Sequence, residues 1–285
     1  MSLFLLVVLV PLAFVIGIGA SAIGVTAWFL MVPVLFVLFG FDLYLTLFIS
    51  LSIDCGNALI MTVIAGQNQQ LDLKQGLRLS LFASAVVILG VYLGTMFIPE
   101  NKELFKSPSA FATFLFGLGF VRRGIKQGRL EADSHASVKD PVVSVLPVSG
   151  GHKWFSRATL LFPGVFSTGL QSGLFGIGGG MMYSIFLMFC RAYPTLKATG
   201  TAMLISLITT LIAGTGIFFQ IPAAHNIDRQ KIILILLLVL FSMIGTISGA
   251  RIAYSLSLRK LNYLIASVII FAASLAIIQG LIIGS

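Results

Sequence analysis

The stretch TGLQSGLFGIGGGMM, from Thr168 to Met182, sets six glycines among large apolar residues and carries no charged side chain. A backbone stripped of side chains can bend and be approached closely while its surroundings stay hydrocarbon-like. The stretch therefore reads as the tip of a broken helix pair, and the flanking composition decides which solvent surrounds it. Of the 285 residues 58% are hydrophobic and 9% charged, with a mean hydropathy of +1.06, where a soluble domain is roughly a quarter charged. The fold class is an all-α integral membrane protein.

Working outward, apolar runs divide the chain into ten segments at about 3–20, 25–41, 45–65, 77–98, 109–121, 157–171, 178–190, 200–220, 232–256 and 261–284. Several reach the ~20 residues needed to cross a bilayer, whereas the first, second, sixth and seventh are shorter. Leu3 to Val15 resembles a signal-peptide core, but no Lys or Arg precedes it. The apolar run also continues past Gly19-Ala20-Ser21-Ala22, so it reads as a first membrane helix.

Ala20–Pro33 and Ser172–Ile185 align at an offset of 152 residues, with Gly24 on Gly176 and Ser21 on Gly173. Leu71-Asp72 answers Ile227-Asp228, and Gly90 with Gly94 answers Gly245 with Gly249. These correspondences predict a first membrane repeat over 1–123, a connecting loop over 124–156 and a second repeat over 157–285. Five segments per repeat make the copies inverted, and short interrupted segments in matching places point to a transporter binding site. With the central loop inside, 14 Lys and Arg fall on the inner side and four on the outer. That asymmetry predicts a cytoplasmic central loop and both termini outside. The connections 17–26 and 169–180 carry no charge, which favours glycine-rich broken-helix hairpins meeting near mid-membrane, although two full crossings would give the same charge count.

A nucleotide-binding glycine loop needs a preceding strand and an acidic residue about twenty positions on, but here a membrane segment precedes and Arg191 and Lys197 follow. The plainer alternative is close helix packing through small residues. The functional reading starts a helix near Gly178, so that Gly176, Gly178, Gly179 and Gly180 aim backbone N–H groups and a positive dipole end at an anion. Ser21, Thr26, Thr168, Gln171 and Ser172 add neutral donors. Trp28 is a substrate wall or a packing aromatic, and Thr199 and Thr201 extend the anion path from the start of segment eight, near Lys197.

Asp54 is an acidic residue deep inside an apolar segment, and Asn57 sits one helical turn away, placed to hydrogen-bond it. An ionisable group inside a membrane is a functional candidate by default. Asp54 can take up a proton in coupling or help bind a cation; the alternative is a permanently protonated structural residue. In the second repeat Ser206 and Thr209 stand at the matching places.

His135, His152 and His225 lie in loops without metal-ligand spacing, and Cys55 and Cys190 lie in apolar runs without a CxxC. The expectation is therefore no enzyme, no cofactor and no metal. Partners are a small anion, the lipid bilayer and protons, without nucleic acid and with homo-oligomerisation left open.

The run GLFGIGGG at Gly173–Gly180, the Tyr193-Pro194 pair and Ala198-Thr199-Gly200-Thr201-Ala202 resemble the second-half signature of the sulfite exporter TauE/SafE family. The first repeat departs from the glycine-rich pattern at Thr26-Ala27-Trp28. The resemblance implies an inner-membrane transporter of a small sulfur-containing or organic anion such as sulfite, sulfoacetate or another sulfonate, with export the first expectation of direction. A passive anion channel, or a membrane scaffold or sensor, is the alternative from a different class.

Overall fold

A computed structural model of the chain describes residues 3–24, 26–97, 161–191, 193–221 and 229–253, with isolated positions at 125, 263, 267, 270 and 274. The expected segments at 109–121 and 261–284 and the connecting loop at 124–156 lie largely outside the described residues. Every regular element among the described residues is helical.

Helix α1 (Leu3–Ile23) is followed by a short α2 (Trp28–Met31) that widens into π-helical turns over Val32–Leu38. Pro33 explains the widening, because its ring lacks an N–H and crowds the preceding turn. Helices α3 (Leu43–Gln67) and α4 (Leu73–Phe97) complete the first group. The second group is α5 (Leu161–Phe175), α6 (Gly180–Arg191), α7 (Thr195–Phe218) and α8 (Arg229–Ala253). Among these, α3, α4, α7 and α8 are long and apolar enough to cross a membrane.

Polar caps set the helix starts. Asp42 accepts the Leu45 N–H at 3.2 Å and so caps α3, while Asp72 accepts the Gln75 N–H at 3.0 Å and caps α4. α1 and α5 stop at left-handed glycines: Gly24 has φ +72° and Gly176 φ +65°. Each glycine N–H still closes a last helical bond of 3.0 Å, Gly24 to Ala20 and Gly176 to Ser172.

The packing pairs the groups crosswise. α3 lies against α7 at the centre, α1 packs on α8 as α5 packs on α4, and α3 touches α8 as α4 touches α7. Small residues allow the close approaches. A Cβ on Gly17 would overlap the Ser242 carbonyl and one on Gly245 the Phe14 carbonyl, while a Cβ on Gly173 would overlap the Val87 carbonyl. On the outer faces Leu81 is 74% exposed on α4 and Leu236 63% on α8, which suits lipid contact.

Candidate functional site

The two helix breaks meet at Asp54. α3 presents this side chain, 5% exposed, to the start of α2, where its Oδ1 accepts the Ala27 N–H at 2.6 Å. The next N–H, from Trp28, goes to the Thr26 hydroxyl at 3.1 Å. Two of the donors that a helix start leaves open are thus met by side chains, one of them a carboxyl group. The second break abuts the same carboxylate. The Gly178 backbone and the Thr26 hydroxyl face it, and a Cβ on Gly178 would overlap Oδ2. Oδ2 has no well-formed hydrogen bond among the described residues.

Asp54 and Asn57 both line a cavity of about 10 Å³ between the breaks, with Thr26, Gly178, Gly180 and Ser206. That space holds about one water. Asn57 was expected to hydrogen-bond Asp54; its carbonyl instead accepts the Ser242 and Thr246 hydroxyls of α8, each at 2.8 Å. The contact follows from the tight α1–α8 crossing, which brings α8 close to this face of α3. The Asn57 amide nitrogen is left without a partner among the described residues.

A second cavity, of about 100 Å³, is lined by Thr26, Trp28, Thr168, Gln171, Gly178 and Gly179, and the structure so brings six of the sequence candidates together. Phe29, Ile177, Met181 and Met182 supply its apolar walls. The Trp28 indole N–H has no hydrogen-bond partner among the described residues, and the ring packs edge-on against Phe29 at 5.5 Å. Thr26 and Gly178 are walls of both cavities.

Other candidates stand elsewhere. The helix anticipated near Gly178 begins at Gly180, in keeping with the poor helical propensity of glycine. Gly176 forms the left-handed turn, against Leu47 and Ile217. Ser21 donates to the Ile18 carbonyl at 2.8 Å where α1 crosses α8, and Ser172 is buried in α5 with no hydroxyl partner among the described residues. Thr199 is buried near the start of α7, and Thr201 accepts the Asp72 N–H at 3.1 Å. None of these last four lines either cavity described above.

Sequence reasoning missed a polar tie around Thr201. The Tyr193 hydroxyl donates to Asp72 Oδ2 at 2.6 Å, and the Lys197 ammonium lies 5.0 Å from the Tyr193 ring centre. The Tyr193 hydrogen bond leads the effects that hold the Asp72 carboxyl below its usual range, with the Gln75 N–H, Lys197 and Arg191 adding to it. Burial and the Asp72 charge push the Tyr193 phenol up to about 12. An aspartate and a tyrosine in two loops on one side of the predicted membrane were the available signal. Tyr183 was also missed: it is fully buried, and a Cβ on Gly179 would strike its ring.

A family model described as sulfite exporter TauE/SafE matches residues 9–276. No curated protein and no solved structure matches the chain.

Proposed function

The chain belongs to the sulfite exporter TauE/SafE family, and from that membership we propose that it is a secondary transporter exporting a small sulfur-containing or organic anion by alternating access. The observation that carries the site is the convergence of both helix breaks on one cavity of about 100 Å³ beside Asp54. Trp28, the methionines and the methyl side of Thr168, whose hydroxyl donates to the Gly164 carbonyl at 2.8 Å, would hold the body of the anion. Backbone N–H groups at Gly178 and Gly179, the Thr26 hydroxyl and the Gln171 amide would hold its oxyanion. These are neutral donors, which bind an anion without trapping it. Asp54, which lines the adjoining small cavity behind Thr26 and Gly178, takes up a proton in coupling, because an ionised carboxylate so close to the anion cavity repels an entering anion.

The same reading makes 1–123 and 157–285 inverted repeats joined through 124–156. Its support is the constant offset of 152 residues between Gly24 and Gly176 and between the helix starts at Trp28 and Gly180, together with the crosswise packing. The 14-to-four charge asymmetry favours an inner-membrane protein with a cytoplasmic central loop and outer termini.

Vesicles containing the purified protein and loaded with sulfite or sulfoacetate test the proposal. A carrier gives saturable counterflow of labelled substrate. Unsaturable conductance without counterflow would replace it with a passive channel.

A further inference from the structure

The cavity of about 10 Å³ lies beside the anion cavity but is lined by different chemistry. Among the described residues Asp54 is the only acidic side chain lining it, and no described Lys, Arg or His lines either space. Its Oδ1 has one N–H at 2.6 Å, and its Oδ2 has no well-formed hydrogen bond among the described residues. An ionised carboxylate buried to this degree is offset by a cation if it is to stay charged.

We propose that this cavity is a site for a sodium-sized monovalent cation, held by Asp54 Oδ2 with oxygens of Thr26, Ser206 and Asn57 and the carbonyl end of α1 at Ala20–Gly24. Three features select that ligand. The volume admits one water-sized particle, so a single ion enters only without its water shell; potassium would already fill that space, whereas the smaller sodium lets the oxygens close on it. The lining supplies oxygen, the ligand of hard cations, and the end of a broken helix directs carbonyls inward, as at other transporter ion sites. One carboxylate balances one positive charge, whereas a divalent ion would leave an excess charge buried.

Asn57 completes the set by a half-turn of its amide. Ser242 and Thr246 lie 2.8 Å from its outer end, and each hydroxyl can accept as well as donate. Thr246 has the Ser242 carbonyl at 3.0 Å to receive its own proton. The amide nitrogen then donates to the hydroxyls and the oxygen turns to the ion, which also removes the unpartnered nitrogen.

Coupling follows from shared walls. Thr26 and Gly178 border both cavities, so cation and anion sit as neighbours of opposite sign. The inference rests on the transport site proposed above and names the ion that Asp54 holds when it is ionised.

Purified full-length protein is tested for binding of radioactive sodium at constant pH and ionic strength, with N-methyl-D-glucamine chloride as the balancing salt. The expected result is saturable binding displaced by NaCl and not by KCl, lost in Asp54→Asn and weakened about tenfold in Ser206→Ala. The second variant keeps the carboxylate and the backbone, so it reports on the site if Asp54→Asn misfolds. Sulfite affinity should rise as sodium replaces N-methyl-D-glucamine. Equal displacement by KCl, absence of saturable sodium binding, or unchanged sodium affinity in folded Ser206→Ala overturns the cation site. Should sodium bind while neither sulfite nor sulfoacetate does under any salt, the anion reading fails and the cation site stands; should sulfite bind without sodium binding, the reverse holds.

Discussion

The two helix breaks are alike in backbone and opposite in chemistry. Each stops a helix at a left-handed glycine, Gly24 or Gly176, and restarts one four residues later, at Trp28 or Gly180. At the first break the opening donors are answered from within the protein, by the Asp54 carboxylate on Ala27 and the Thr26 hydroxyl on Trp28. The second presents Gly178 and Gly179, which offer only backbone to the larger cavity. The two similar breaks thus share one carboxylate, which takes the Ala27 N–H of the first and abuts Gly178 of the second, while Gly179 lines only the larger cavity. On the proposed function the second break is the one that meets a diffusible anion, a difference that swapping residues between the breaks should expose.

The largest effect is expected from Gly178→Ala. Its new Cβ would overlap Asp54 Oδ2 and lie 2.8 Å from Cγ, so the carboxylate must move from the junction of both cavities. A displacement of that kind costs about 100-fold in transport, read as the initial rate of sulfite movement in vesicles normalised to inserted protein. The reciprocal change, Thr26→Gly, removes a cap at a cost of a few tenths of a kcal/mol and should slow transport only about twofold, because Ala27 keeps its bond to Asp54. Equal losses would erase the distinction between the breaks. Next comes Asp54→Asn, which should flatten the pH profile of transport; a profile that persists makes Asp54 structural.

The matching of Gly24 with Gly176 was legible in the sequence from the offset of the repeat, and glycine is the residue best suited to the left-handed stops they form, although Gln69 after α3 also takes a positive φ of 56°. Helices stand at eight of the ten segments drawn from apolar runs, because lipid leaves a continuous composition signal, and the other two lie largely outside the described residues. The partner of Asp54 was not legible, since a backbone N–H at Ala27 leaves no mark in side-chain identity. Helical spacing pointed Asn57 at Asp54, but spacing gives direction without neighbours, and Ser242 and Thr246 on α8 claimed its carbonyl. Thr199 and Thr201 failed as cavity residues on similar grounds: hydroxyls near a helix start are as useful for tying loops as for binding anions.

Close packing offers a further comparison between the halves. Gly17 and Gly169 occupy matching places, yet a Cβ on Gly17 would overlap the Ser242 carbonyl, whereas one on Gly169 would lie 3.2 Å from the Ala83 carbonyl. Gly17→Ala should therefore destabilise by about 1–3 kcal/mol, as overpacking does. Gly169→Ala should stay within about 1 kcal/mol, since its neighbours need to give only slightly. Thermal unfolding of the two variants in one detergent checks the order, and equal melting temperatures would show that both crossings relax alike.

The smallest effect concerns the tie between the α3–α4 turn and the segment joining α6 to α7, where Tyr193 donates to Asp72 at 2.6 Å. Asp72 is held below its usual range in the fold, so its contribution is present above the ordinary carboxylate value and fades as pH falls through the lowered one. Tyr193 is raised to about 12, so its contribution is whole below the ordinary phenol value of about 10 and is lost as pH climbs through the raised one. The tie is therefore at full strength between the carboxylate range and about pH 10. Solvent screening at this half-buried site limits it to below about 1 kcal/mol. Tyr193→Phe should lower the melting temperature slightly at neutral pH and blunt the wild-type decline at both extremes. If this tie also opens and closes during alternating access, the same variant should change transport rate more than melting temperature; a rate unchanged beside a lowered melting temperature would make it purely a fastening.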